Sequence, residues 1–221
     1  MCTTIATHTM SHFAGNVFLI TAPSGAGKST LVNALLERDA GLKLSVSCTT
    51  RAPRDGEVDG KDYHFVSEEQ FLSMRTNDEL LEWAQVHGHF YGTPRAPLAD
   101  ALTNGQDVML EIDWQGARQV RALLIGVTGI FVLPPSVAAL EQRLRARGKD
   151  AEAVIVRRLA SANEEISHAS EFEYVIINQD FSVALQQLEH IVAASRLRYV
   201  RQAVAHPALF GSMGLALGPR T

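Results

Sequence analysis

The sequence predicts an α/β fold in which a parallel sheet is flanked by helices. Three observations carry this prediction. Apolar runs of strand length alternate with longer segments of helical period. A Ser/Gly-rich stretch joins the first of those runs directly to the first helical segment. The 221 residues, 46% hydrophobic and 20% charged, suit a globular chain with one sizeable core and exclude a disordered or collagen-like one.

Taken in order, residues 1–15 are rich in Thr, Ser and His without a sustained period and read as an N-terminal tail. Val17-Phe18-Leu19-Ile20 predicts a strand, and Leu31 and Leu35 begin a helical stripe after it. A second strand is predicted at Leu44 to Cys48. Three more follow at Val108 to Asp113, at Gly129 to Leu133, which Pro134 and Pro135 stop, and at Tyr174 to Ile177. From Val183 to Val204, Leu185, Leu188, Ile191 and Val192 form one stripe, so the segment predicts a long amphipathic helix capped by Asp180 or Ser182. Residues 207–221 are rich in Gly and small side chains and read as a C-terminal tail.

Two stretches break the alternation. Thr49 to Gln106 is polar and aromatic with many Gly and Pro, and Ser136 to Ser170 is helical and rich in Arg and Glu. They read as insertions carrying substrate chemistry, which leaves a discontinuous core of residues 16–48, 107–135 and 171–206, with insertions at 49–106 and 136–170.

Twenty Lys and Arg against 24 Asp and Glu give a formal charge of −4. Bulk electrostatics therefore favours neither a nucleic acid nor an acidic membrane as partner, and any anion site must be a local cationic cluster. Cys2 and Cys48 lack a CxxC spacing, so neither a disulfide framework nor a cysteine zinc site is expected. The eight histidines show no HExxH pattern, and His87 and His89, flanking Gly88, read as loop residues. The apolar run from Ala122 to Leu133 is too short to span a bilayer, and the first fifteen residues do not resemble a secretory leader. A cytoplasmic protein is the expectation, with its oligomeric state open.

Chemistry enters at Ala22-Pro23-Ser24-Gly25-Ala26-Gly27-Lys28-Ser29-Thr30, between the first strand and first helix, where a P-loop belongs. The glycines let backbone N–H groups turn toward phosphate oxygens, and the helix N-terminus adds partial positive charge. Lys28 reaches the β- and γ-phosphates, and the Ser29 hydroxyl can ligate Mg²⁺. Ser24 to Thr30 form the expected ATP-binding segment. Position 22 is Ala where the general pattern has Gly, but Gly25, Gly27, Lys28 and Ser29 keep the phosphate-facing part. The fold expectation is thus a P-loop NTPase sheet.

Further motifs choose among P-loop enzymes. Ser45-Val46-Ser47-Cys48-Thr49-Thr50-Arg51-Ala52-Pro53-Arg54, the run from Gly56 to Val66, Phe90-Tyr91-Gly92-Thr93 and Asp113-Trp114-Gln115-Gly116 follow in order after the P-loop. Together they closely resemble the guanylate kinase family, over about Asn16 to Arg201. The resemblance implies Mg²⁺-dependent transfer of the ATP γ-phosphoryl group to GMP, on a core with a nucleotide-monophosphate-binding insertion and a lid. It also implies a GMP site of Ser47, Arg51, Arg54, Glu57, Tyr63, Glu82, Tyr91, Thr93 and Asp113, with Arg143, Arg147 and Arg158 as lid arginines acting with Lys28.

The side-chain chemistry agrees. Arg51 and Arg54 offer planar forks to a dianionic phosphate, while the Tyr63 and Tyr91 hydroxyls donate without adding charge. Guanine presents N–H donors at N1 and at its 2-amino group, which a carboxylate such as Glu82 would accept, although Glu79 to Trp83 alone also fits an exposed helix. Glu111 and Asp113, two apart, share a strand face and project toward the carboxyl edge. The resemblance gives Glu111 a contact to Mg²⁺ through water, at a place where the family usually has Asp and this side chain is one methylene longer. Arg143 and Arg147, four apart, share a helix face. A P-loop sugar-phosphate kinase would have no guanine edge for Glu82 and Thr93, and a non-catalytic protein-binding module would not need Lys28, Ser29, Arg51, Arg54 and Arg147.

Overall fold

The computed structural model describes residues 14–86, 88–146 and 152–215. Its main sheet has five parallel strands in the order β2-β7-β1-β8-β9: β1 (Val17–Thr21), β2 (Leu42–Leu44), β7 (Asp107–Glu111), β8 (Thr128–Leu133) and β9 (Tyr174–Ile177). β1 is central and buried on both faces, which is why it reads as an unbroken apolar run. Its alternate residues feed two layers. Phe18 and Ile20 pack with Leu31 and Leu35 of α1 (Lys28–Arg38) and Leu185, Leu188 and Val192 of α7 (Phe181–Arg196). Val17 and Leu19 face the opposite layer, where Leu98 and Leu102 of α3 (Arg95–Thr103) and Val120 of α4 (Trp114–Leu123) close the core.

A second sheet, ordered β4-β3-β6-β5, stands beside the first: β3 (Cys48–Thr49), β4 (His64–Phe65), β5 (Leu80–Val86) and β6 (His89–Pro94). Its small core holds Cys48, Phe71 and Leu80, with the Phe71 and Phe90 rings stacked at 5.4 Å. The helix that supplies Phe71, α2 (Glu68–Thr76), starts at a capping box between Ser67 and Gln70. Although α3 falls within segment 49–106, it packs on β7 of the main sheet. In segment 136–170, α5 (Val137–Ala146) and α6 (Glu152–Ser167) pack together through Leu140, Leu144, Ile155 and Ala162.

Three elements depart from expectation. The single strand predicted at Leu44 to Cys48 is two: Leu44 ends β2, the Ser45 amide makes a last bond to the Met109 carbonyl, and Cys48 enters the second sheet. The segment is short of apolar residues at Ser45 and Ser47, and the chain uses it to cross between sheets. The predicted long closing helix also divides. Asp180 caps α7 by accepting from the Val183 amide, but the helix ends at Arg196 and α8 (Tyr199–Ala205) follows an extended Arg198. The apolar stripe fails there: Leu197 is 72% exposed, and the redirected chain buries Arg201 and Ala203. Finally, the stretch read as a C-terminal tail contains α9 (Pro207–Ser212), whose Phe210 ring meets Tyr199 edge-on at 5.4 Å. No helix among the described residues is long and apolar enough to cross a membrane.

Candidate active site

The parallel register sets Ile20 opposite Glu111, so the loop after β1 and the end of β7 meet at the carboxyl edge of the sheet. That loop turns through Gly25 and Gly27, both in the left-handed region with φ of 98° and 94°, and α1 begins at Lys28. Only glycine adopts this geometry without strain, and it aims the loop amides inward. The Ser29 hydroxyl donates to Glu111 at 2.8 Å, and Lys28 Nζ lies 3.8 Å from the same carboxylate oxygen. Asp113 has left the strand and caps α4, its carboxylate accepting from the Gly116 amide at 2.8 Å and the Gln115 side chain at 3.0 Å.

A cavity of about 310 Å³ runs from this loop to the second sheet. Ser24, Gly25, Gly27, Lys28, Ser29 and Thr30 line one end, and Ser47, Arg54, Tyr63, Glu82 and Tyr91 the other. Glu111 and Asp113 lie between them, and Arg158 of α6 joins the wall. Residues far apart in sequence, picked out from separate motifs, therefore converge on one space.

Glu82 is the most constrained of them. It sits in β5, a strand where an exposed helix was the alternative, and only 4% of it is exposed. The Thr93 hydroxyl, fully buried on the paired strand β6, donates to it at 2.6 Å. Its other oxygen lies against Gly116 in the first turn of α4, where an added Cβ would overlap it, so a larger residue at that point would displace the carboxyl. Burial pushes the Glu82 carboxyl up to about 7, helped by the Asp113 charge and opposed by the Thr93 hydrogen bond. Burial likewise pushes the Tyr63 hydroxyl up to about 12, which keeps it a neutral donor. Tyr63 and Tyr91 meet edge-on at 5.9 Å.

Other predicted site residues stand behind this wall. Arg51 donates to Glu57 at 2.8 Å and lies over the Tyr63 ring at 5.5 Å. Glu57 also accepts from the Arg54 amide at 2.7 Å. Burial opposes its charge, but those bonds to Arg51 and Arg54 hold its carboxyl below the usual range. The Ala26 carbonyl accepts from Asn178 at 2.7 Å and from Arg143 at 3.2 Å, and Arg143 also donates to the Asn178 carbonyl at 2.8 Å. Arg143 thereby borders a second hollow, across the phosphate loop, with Gly25, Gly27, Thr30, Gln179 and Phe181. Arg147 lies outside the described residues, as does His87.

Trp114 and Glu165 also line the cavity, though neither is among the predicted site residues. Trp114 stacks on His168 with ring centroids 3.8 Å apart. Glu165 lines the cavity and accepts from the Ser24 amide at 3.1 Å. The signal for Glu165 was its spacing of seven from Arg158, which puts both on one helix face.

A phosphate loop at the carboxyl edge of a parallel sheet, sharing a cavity with a buried carboxylate on a second sheet, defines a P-loop nucleotide phosphotransferase. The guanylate kinase family model matches residues 14–195. The chain is 59% identical over 206 residues to a guanylate kinase of Bordetella pertussis, covering 93% of this chain and 96% of that one. It is 52% identical over 211 residues to one of Cupriavidus metallidurans, covering 95% and 98%. The crystal structure of guanylate kinase from Anaplasma phagocytophilum superposes with a TM-score of 0.75 at 36% identity, covering 94% of this chain and all of that one. The chain belongs to the guanylate kinase family, the ATP:GMP phosphotransferases.

Proposed function

We propose a division of labour by which this chain carries out guanylate kinase activity. The observation that supports it best is the buried Glu82 carboxylate opening on the same cavity as Lys28. Glu82, held by Thr93, accepts from guanine N1–H and the 2-amino group, with Asp113 and Ser47 beside the base. Arg54, Tyr63 and Tyr91 bind the GMP phosphate, while Arg51 and Glu57 hold Tyr63 and the Arg54 backbone in place. The loop amides from Gly25 onward and Lys28 take the ATP phosphates, and the second hollow leaves room for the donor's nucleoside. A GMP phosphate oxygen then attacks the γ-phosphorus as the bond to the ADP oxygen breaks, giving GDP and ADP. The protein contributes alignment and positive charge and no nucleophile.

Arg158, with Arg147 from beyond the described residues, supplies forks to the transferring group, and Arg143 braces the loop through the Ala26 carbonyl. Segment 136–170 acts as the lid and 49–106 as the GMP-binding insertion. Among the described residues no three His, Cys, Asp or Glu side chains gather as a metal cage. The Ser29 hydroxyl, with the Glu111 carboxylate 2.8 Å behind it to hold a bridging water, fits a Mg²⁺ that would take its other ligands from phosphate and water. When bound, that ion neutralises charge on the β- and γ-phosphates. Nucleotide substrates and two cysteines without a pairing pattern support a cytoplasmic setting. Lys28→Ala tests the donor end: kcat should fall by at least about a hundredfold while GMP affinity by calorimetry stays within about threefold. Near-parental kcat would remove Lys28 from the chemistry.

A further inference from the structure

Glu165 has no place in the division of labour above, yet it faces the same cavity. On α6, Ile155, Leu159 and Ala162 point into the contact with α5, while Arg158 and Glu165 occupy the neighbouring stripe that lines the cavity. Seven residues are 20° short of two turns, so Arg158 and Glu165 share a face roughly 10 Å apart. The Glu165 carboxylate accepts from the Ser24 amide at 3.1 Å, tying α6 to the phosphate loop itself. One turn further, His168 stacks on Trp114 at 3.8 Å and pairs with Glu171 at 2.7 Å, while Glu171 is gripped by both arms of Arg118 at 2.7 and 2.6 Å. The end of α6 is thus fixed to both α4 and the loop, and the Glu165 contact joins the helix directly to the loop backbone.

We infer that Glu165 is a positioning residue for phosphoryl transfer: by holding the Ser24 amide it sets α6 against the phosphate loop so that Arg158 meets the transferring group. The inference rests on the role given to Arg158 above. A loop N–H at a cavity wall needs an acceptor, and Glu165 supplies it. Burial pushes its carboxyl up to about 7, offset by the Ser24 amide and by Lys28. Since the ionised and neutral forms both present an acceptor oxygen, Gln should serve in its place, whereas Ala should not.

Steady-state kinetics and thermal unfolding of Glu165→Ala, Glu165→Gln, Arg158→Ala and the Glu165→Ala/Arg158→Ala pair test this. Glu165→Ala should lower kcat by about tenfold or more with KM for GMP within about twofold, and Glu165→Gln should recover most of the loss. If Glu165 works through Arg158, the double variant should be no slower than Arg158→Ala by more than about twofold. Losses that multiply in the double variant would overturn the inference, as would parental kcat in Glu165→Ala. A Glu165→Ala chain that unfolds, or a Gln variant as slow as Ala, would also overturn it by assigning Glu165 to stability or to its charge. Parental kcat in Arg158→Ala would instead remove the Arg158 assignment, and this inference with it.

Discussion

The Ser29 hydroxyl donates to Glu111 at 2.8 Å, joining the first turn of α1 to the last residue of β7. Because the strands are parallel neighbours, the phosphate loop and this carboxylate come together through sheet register alone. Glu111 is one methylene longer than Asp, and a water between carboxylate and ion can take up that difference. Glu111→Asp should therefore keep kcat within about threefold, while Glu111→Gln should raise the Mg²⁺ concentration for half-maximal rate by about fivefold or more with little change in KM for GMP. Asp113→Asn should do the reverse. Separate Mg²⁺ and GMP titrations of the three variants check the assignment, and unchanged Mg²⁺ dependence in Glu111→Gln would contradict it.

At the other end of the cavity, Glu82→Gln keeps the shape beside Gly116 and an acceptor for Thr93, but turns one oxygen into a donor facing guanine's donors. Losing a charged hydrogen bond costs about 1.5–3 kcal/mol, so kcat/KM for GMP should fall by roughly 10- to 150-fold. An unaltered value would move base recognition away from Glu82.

The elevated pKa gives Glu82 a pH signature of definite sign. Its carboxyl stands at about 7 and must be ionised to accept both guanine donors, so kcat/KM for GMP should rise between about pH 6 and 8. In Glu82→Gln the part of that rise not due to the phosphate of GMP itself should vanish. Parallel pH profiles of parent and variant would contradict this role.

Stability should move the opposite way. The folded chain holds the Glu82 proton from its ordinary value of 4.5 up to about 7, where the unfolded chain has lost it. The stabilisation from this group is present below 4.5 and lost as pH rises through 7. At pH 8, without nucleotide, Glu82→Gln should melt above the parent, by about 2–4 °C for each kcal/mol relieved, and the gap should close toward pH 5. A variant that melts lower at pH 8 would mean the buried charge is compensated in the folded chain.

The sequence shows much of this architecture because its strongest signals are local. Val17 to Ile20, Gly129 to Leu133 and Tyr174 to Ile177 are short apolar runs with clear ends, and the phosphate loop is one contiguous string. What it conceals depends on partners remote in the chain. Glu79 to Trp83 suits a helix surface when read alone, and only pairing with β6 and the approach of Gly116 make Glu82 a buried strand residue. Ser45 to Ser47 hides a crossing between two sheets, because the sequence does not say which neighbour each half will pair with. Arg51 and Glu57 belong to one motif with Arg54, yet they bond each other and buttress the wall. Glu165 looks like one acid among several on a charged helix, and its meaning comes from the Ser24 amide 141 residues away.

In the proposed function a buried carboxylate reads guanine on a phosphate acceptor held before a P-loop. ADP formation from ATP and Mg²⁺, with GMP, AMP, CMP and UMP compared as acceptors, tests it most directly. Adenine presents an unprotonated N1 to Glu82 where guanine presents N–H, and a site built around that hydrogen bond rejects the mismatched base strongly. GMP should exceed each of the others by at least about a hundredfold in kcat/KM. Comparable rates with AMP, or no GMP-dependent ADP formation at all, would contradict the account.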